Sequence, residues 1–123
     1  MPEVRGEPFL RVRNWERFQH YGKRNPPWIK FHTETLDNRH FEKLPAATKC
    51  HIMLIWLLAA RTDNEIAIDR EWIAKKIGAA EHVDLEGIVR TGYLEVCNGE
   101  GTPLSGAARD RALTKALADS AST

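Results

Sequence analysis

The sequence predicts a single α+β domain, and three observations indicate it. Residues 52–60 form an apolar run without glycine or proline, which is typical of a buried helix. Two later segments each follow an aspartate, Asp69 or Asp84, and end at a glycine, as capped helices do. Short alternating apolar runs lie on either side and predict strands. A chain of 123 residues, 42% of them hydrophobic, has room for one such domain.

The first predicted element is a strand at residues 9–13. Leu10 and Val12 alternate with Arg11 and Arg13, and alternate residues of a strand point to opposite faces. The pattern predicts an apolar face turned to the core and a charged outer face.

Less regular structure is expected next. Residues 14–20 predict a short helical turn, and the Asn25-Pro26-Pro27 run ends it, because proline interrupts regular structure. Residues 28–31 are expected to be extended, and residues 33–38 predict a short helix.

The central predicted element is a helix over residues 46–60. Pro45 suits the first helical position, where its missing N–H group needs no partner. Apolar side chains lie on nearly every face of the helix, which predicts burial all round and an end near Arg61. A turn is expected at residues 62–64.

The second half of the chain predicts a strand at residues 65–68, helices at 69–77 and 84–91, and a strand at 93–97. The side chains expected to face the core are Ile66, Ile68, Trp72, Ile73, Ile77, Leu85, Ile88 and Val89. Asn98-Gly99 predicts a hairpin turn. Its return strand is expected to be poor, because Gly101 and Pro103 both weaken a strand.

This order of elements is typical of a winged helix-turn-helix domain with a buried central helix and a small antiparallel sheet. The sequence predicts three regions: an N-terminal basic and aromatic arm at residues 1–27, the winged helix-turn-helix domain at 28–104, and a flexible Ala/Ser-rich tail or frayed helix at 105–123.

A set of short motifs lies between residues 28 and 96. They are Trp28-Ile29-Lys30-Phe31, Leu36-Asp37-Asn38, Phe41, Leu44, His51-Ile52-Met53-Leu54-Ile55-Trp56-Leu57-Leu58, Trp72-Ile73-Ala74 and Val89-Arg90-Thr91-Gly92-Tyr93-Leu94-Glu95. The pattern resembles the N-terminal domain of phage replisome-organizer (replication-initiation) proteins. The resemblance implies a winged helix that binds origin DNA and a C-terminal region that recruits helicase machinery. The chain ends soon after the predicted wing, so the recruiting domain is expected to be missing or reduced.

Charge is distributed unevenly along the chain. The net charge is +1, but residues 1–30 hold seven cations and three anions, and residues 81–100 hold one cation and five anions. Cations interleaved with aromatic rings suit phosphates and unstacked bases; alternatively, the rings anchor the arm and the cations are solvated. The predicted nucleic-acid-binding residues are Arg11, Arg13, Arg17, Lys23, Arg24, Lys30, Arg70, Lys75, Lys76 and Arg90.

Reading of bases by the 84–91 helix is not expected. A recognition helix contacts bases through its first turns, and this one begins with Asp84 and Glu86. DNA contact is therefore expected through the basic arm and the 69–77 helix. Two alternatives stay open: a protein-binding adaptor or inhibitor that uses the acidic 81–100 face, and a transcriptional regulator.

No catalytic, cofactor or metal site is predicted, and an enzyme is not expected. The five histidines lack metal-ligand spacing, and neither Cys50 nor Cys97 belongs to a CxxC pair. Both thiols are expected to be buried, in the reducing cytoplasm of a bacterial host. The apolar run at 52–60 is too short to span a membrane, so no membrane partner is expected, and the oligomeric state is left open.

Overall fold

A computed structural model describes residues 6–13, 15, 31 and 33–121. Its elements are β1 (Phe9–Val12), a 3-10 helix (Thr33–Asp37), α1 (Arg39–Glu42), α2 (Ala46–Arg61), β2 (Ile66–Ala67), α3 (Arg70–Ile77), α4 (Leu85–Arg90), β3 (Leu94–Cys97) and α5 (Gly106–Ala121). The α+β class is confirmed. The structure predicted for residues 14–31 lies outside the described residues, apart from Trp15 and Phe31.

The sheet has three antiparallel strands in the order β2-β1-β3. The first strand in the chain is therefore the central one, and its Leu10 and Val12 side chains are buried as predicted. After Asn98-Gly99 the chain returns along β3 through a single bridge, between Cys97 and Pro103. The poor return strand is confirmed, since proline has no N–H group with which to extend the ladder.

The core lies between the inner face of the sheet and helices α2, α3 and α4. Of the side chains predicted to face it, most are buried, and Trp72 and Ile77 are partly buried. The predicted caps also form: the Asp69 carboxylate accepts a hydrogen bond from the Trp72 N–H at 3.1 Å, and the Asp84 carboxylate accepts one from the Gly87 N–H at 3.0 Å. Gly78 ends α3 in the left-handed conformation.

The bounds predicted for the central helix α2 are nearly correct, but the prediction that it is buried all round is wrong. Ile52 and Ile55 face α3 and the sheet and are almost fully buried, whereas Met53 and Leu57 are 40% and 44% exposed. The described elements pack against only one side of α2. Cys50 lies three residues before Met53 and is also exposed, so the prediction of two buried thiols is correct only for Cys97.

The turn after α2 contains a buried polar side chain that the sequence did not reveal. Asp63 and Asn64 both have a positive φ, 54° and 58°. This brings the Asn64 side chain against Val12, where it accepts a hydrogen bond from the Val12 N–H at 2.7 Å and donates one to the Val12 carbonyl at 3.1 Å. The side-chain amide thus makes the two hydrogen bonds that a neighbouring strand residue would make with the last residue of β1. Asn64 is only 5% exposed.

The C-terminal residues form a helix, α5, which packs on α3 and β3. Of the two predicted alternatives, a flexible tail and a frayed helix, the helix agrees with the structure, although α5 is packed on the domain. Leu113 is buried, and Ala112, Ala116 and Leu117 are partly buried beside it. These side chains share one face through their three- and four-residue spacing. The small residues that made the segment look like a linker include several alanines, the best helix former.

None of the helices that the structure describes is long and apolar enough to cross a lipid bilayer.

Candidate nucleic-acid interface

The ten predicted nucleic-acid-binding residues divide into two groups. Four of them, Arg17, Lys23, Arg24 and Lys30, lie outside the described residues. The other six lie at three places: Arg11 and Arg13 in and directly after β1, Arg70, Lys75 and Lys76 on α3, and Arg90 at the end of α4.

Arg11, Arg13 and Glu95 form a cluster on the outer face of the sheet, called here the arginine–glutamate cluster. Arg11 and Glu95 are opposite each other in the β1–β3 register, and Arg13 follows Arg11 on the same face. The Nε and Nη2 atoms of Arg11 donate to Glu95 Oε2 at 3.0 and 2.8 Å, and Arg13 Nε lies 4.0 Å from Oε1. Two guanidinium groups thus share one carboxylate.

The cluster extends toward the end of α4. Gly92 has a φ of 89°, and a Cβ atom at this position would lie 3.4 Å from Arg13 Nη1. The head group of Arg13 therefore lies against the backbone of Gly92, two residues after Arg90. Arg13 and Arg90 are both exposed, and 59% of the Arg13 side chain is accessible. The structure thus brings two of the predicted residues, Arg11 and Arg13, together, and Arg90 lies two residues before the glycine that Arg13 contacts.

Arg70 has a different environment, because its head group joins α3 to α4. Its Nη2 atom donates to Glu86 Oε2 at 2.8 Å, and its Nη1 atom donates to the Val83 carbonyl. Nη1 also lies 3.4 Å from Nε2 of His82. Because arginine only donates, a hydrogen bond here requires the neutral His82 tautomer with its proton on Nδ1. Arg70 was predicted to contact DNA; in this structure its donors bind the protein itself.

The ion pair between Arg70 and Glu86 makes a testable contribution to stability. The hydrogen bond from Arg70 is the main cause that lowers the pKa of Glu86 below its ordinary value. The folded state therefore favours the charged form. This stabilisation is complete above the ordinary pKa and is lost as the pH falls through the lowered folded-state value.

We therefore expect Glu86→Gln to lower the free energy of unfolding by about 0.5 kcal/mol at neutral pH, a small effect because the pair is partly exposed. The difference from the wild type should shrink as the pH falls below the ordinary pKa of glutamate and vanish below the lowered pKa of Glu86. Urea unfolding of both proteins over a series of pH values measures it. A difference that persists unchanged in acid would contradict the assignment.

Lys75 and Lys76 lie on the last turn of α3, at the other end of this helix from Arg70. Both are exposed, and neither makes an ion pair with another described residue. No contact among the described residues joins them to the arginine–glutamate cluster. They form a separate pair of accessible cations.

The acidic 81–100 segment is partly neutralised by arginines from other parts of the chain. Glu86 pairs with Arg70, and Glu95 pairs with Arg11. The carboxylate of Asp84 caps α4. Glu81 and Glu100 are exposed. The segment therefore presents less negative charge than its composition indicates, and the sequence could not show this because both pairings depend on the fold.

A cleft of about 470 Å³ lies between the start of α3, the α3–α4 turn and the end of α5. Its lining combines apolar residues such as Val83 and Leu117 with charges of both signs, including Arg70 and Glu81. Its acidic side chains, Asp69, Glu71 and Glu81, outnumber the single arginine. Within the described residues, no three His, Cys, Asp or Glu side chains are grouped to hold a metal ion.

Apolar side chains are also exposed near α2. Leu36 of the 3-10 helix is 82% exposed, and Met53 and Leu57 are partly exposed. The Phe31 ring lies against Trp56, with 5.6 Å between the ring centroids. These exposed apolar side chains are chemically distinct from the arginine–glutamate cluster.

Comparisons with protein-family models, with curated proteins and with solved structures found no match.

Proposed function

We propose that this chain is a phage or prophage DNA-binding protein with a winged helix-turn-helix fold, and that it acts in replication initiation. DNA binding is proposed from the arginine–glutamate cluster on the outer face of the sheet, where Arg11 and Arg13 share one carboxylate. The head group of Arg13 there lies beside Gly92, two residues after Arg90. The guanidinium of Arg11, which is partly buried on β1, and the exposed guanidinium of Arg13, directly after β1, have donors that suit phosphate oxygens. The role in replication rests on the resemblance of residues 28–96 to replisome organizers.

The order of α3, turn, α4 and β3, followed by the short return at Pro103, supports the winged-helix assignment. In this fold α4 corresponds to the recognition helix. Its first turn contains the capping Asp84 and the paired Glu86, which leaves few donors for base edges. We therefore propose that phosphate contacts by Arg13, Arg90, Lys75 and Lys76 supply most of the affinity.

The sharpest test replaces Arg13 and Arg90 together by glutamine. Each phosphate contact on duplex DNA contributes about 0.9 to the slope of log K against log salt. The double variant should therefore bind more weakly and lose roughly 1.8 units of slope. Fluorescence anisotropy with a labelled duplex at several salt concentrations measures both quantities.

The matched control replaces two exposed cations of α5, Arg111 and Lys115, by glutamine. It makes the same change in net charge at a different place. Equal losses in the two double variants would indicate a general charge effect and would contradict the proposed interface. Absence of binding by the wild type at low salt would reject DNA binding altogether.

If the wild type does not bind DNA at low salt, the protein-binding adaptor or inhibitor is favoured, with a partner on the acidic 81–100 face. The structure supports this alternative less well, because Glu86 and Glu95 already pair with arginines. Reversing the charge of the exposed Glu81 and Glu100 and measuring capture of a basic partner tests it. A transcriptional regulator would use the same phosphate contacts, but would prefer one operator sequence strongly in the anisotropy assay.

A further inference from the structure

We infer that Glu95 occupies the place of a DNA phosphate in the arginine–glutamate cluster, and that a backbone phosphate displaces it on binding. This inference rests on the proposed function and identifies Glu95 as a residue that limits the affinity of the protein for DNA. Glu95 is thus an internal competitor of the ligand: it lies on β3 opposite Arg11, and its displacement would add Arg11 to the phosphate contacts proposed above.

The geometry of the cluster is the first argument. Arg11 approaches one carboxylate oxygen through two of its nitrogen atoms, and Arg13 approaches the other oxygen. A phosphate diester likewise presents two charged oxygens, and arginine binds carboxylate and phosphate with the same donor arrangement. The carboxylate of Glu95 therefore stands in for the two free oxygens of a backbone phosphate.

The placement of the arginines is the second argument. Arg11 belongs to the central strand, which pairs with β3 along its whole length. Its Nη1 atom also lies 3.4 Å from the carbonyl oxygen of Gly101, in the loop after β3. The guanidinium of Arg11 is thus held at a defined position by the fold. A preorganised donor loses less conformational entropy when a ligand binds.

The weak hold on Arg13 is the third argument. Its Nε atom is 4.0 Å from Glu95, beyond hydrogen-bond distance, and the side chain is 59% exposed. Partly exposed ion pairs contribute little to stability. Exchange of the carboxylate for a phosphate therefore costs the folded protein little, while the charge of Glu95 repels the incoming phosphate.

The test compares Glu95→Gln with Glu81→Gln in the full chain, using a labelled DNA duplex at low salt. Both substitutions remove one negative charge, but Glu81 lies on the exposed α3–α4 turn. Removing a like charge next to a bound phosphate should raise affinity about fivefold, as expected for a repulsion of about 1 kcal/mol. Glu81→Gln should change it much less.

A double variant makes the test specific to the cluster. In an Arg13→Gln background, Glu95→Gln should raise affinity by a smaller factor, because one of the two released guanidinium groups is gone. Glu95→Thr serves as a second charge-removing variant with good strand propensity. Circular dichroism shows whether each variant is folded before its affinity is compared.

The outcomes separate this inference from the proposed function. If the wild type binds duplex but Glu95→Gln and Glu95→Thr bind no more tightly than Glu81→Gln, the inference is overturned and DNA binding stands. If neither the wild type nor any variant binds at low salt, the proposed function fails and the inference fails with it. A fivefold gain restricted to the Glu95 variants supports both.

Discussion

Replacing Asn64 by alanine is expected to lower the free energy of unfolding by about 3–7 kcal/mol. The substitution removes both hydrogen bonds to Val12 and leaves a buried N–H and a buried carbonyl without these partners. Each such loss costs about 1–3 kcal/mol. Alanine must also adopt the left-handed conformation, at a φ near 58°, which costs about 1 kcal/mol more. Urea unfolding followed by circular dichroism measures the change.

Two further variants separate these contributions. Asp63 has a similar positive φ but is exposed, so Asp63→Ala includes the same backbone cost of about 1 kcal/mol without the loss of a buried amide. Asn64→Gly relieves the backbone cost and keeps the loss of the amide. If Asn64→Ala were no more destabilising than Asp63→Ala, the Asn64 amide would not be tying the turn to β1.

The second large effect concerns the C-terminal helix. Leu113 is the one buried residue of α5 and packs in the main core. We expect Leu113→Ala to lower the free energy of unfolding by about 2–4 kcal/mol, through lost burial and the cavity that remains. Thermal and urea unfolding both measure it, and α5 should become more accessible to proteases in the variant.

The neighbouring Thr114 supplies the control, because it lies on the exposed side of the same helix. Thr114→Ala should be neutral or slightly stabilising, since alanine favours helix more than threonine does. Equal, small effects at both positions would mean that α5 contributes nothing to the stability of the domain. That result would restore the flexible tail that the composition suggested.

The charges of this chain illustrate how a sequence pattern and a surface can differ. The basic beginning and the acidic 81–100 segment appear as opposed regions in the sequence. In the fold they meet, as Arg11 reaches Glu95 across the β1–β3 pair. The pairing weakens the case for an acidic docking face, and it leaves Arg13 as the more exposed arginine of the cluster.

The sequence alone determined the elements whose signals are local. Alternation predicted β1, the aspartate and glycine boundaries predicted α3 and α4, and the long apolar run predicted α2, because these preferences act over a few residues. Which faces of α2 stay open and whether the C-terminal segment docks depend on elements distant in the chain, so only the tertiary structure decided them.

The candidate site follows the same division. The sequence supplied its cations, but the contacts that give them different roles join residues 84 and 16 positions apart: Arg11 with Glu95, and Arg70 with Glu86. No local preference specifies such pairs. They form because packing of the apolar faces brings the strands and helices together, and the polar groups at their edges then find partners within hydrogen-bond distance.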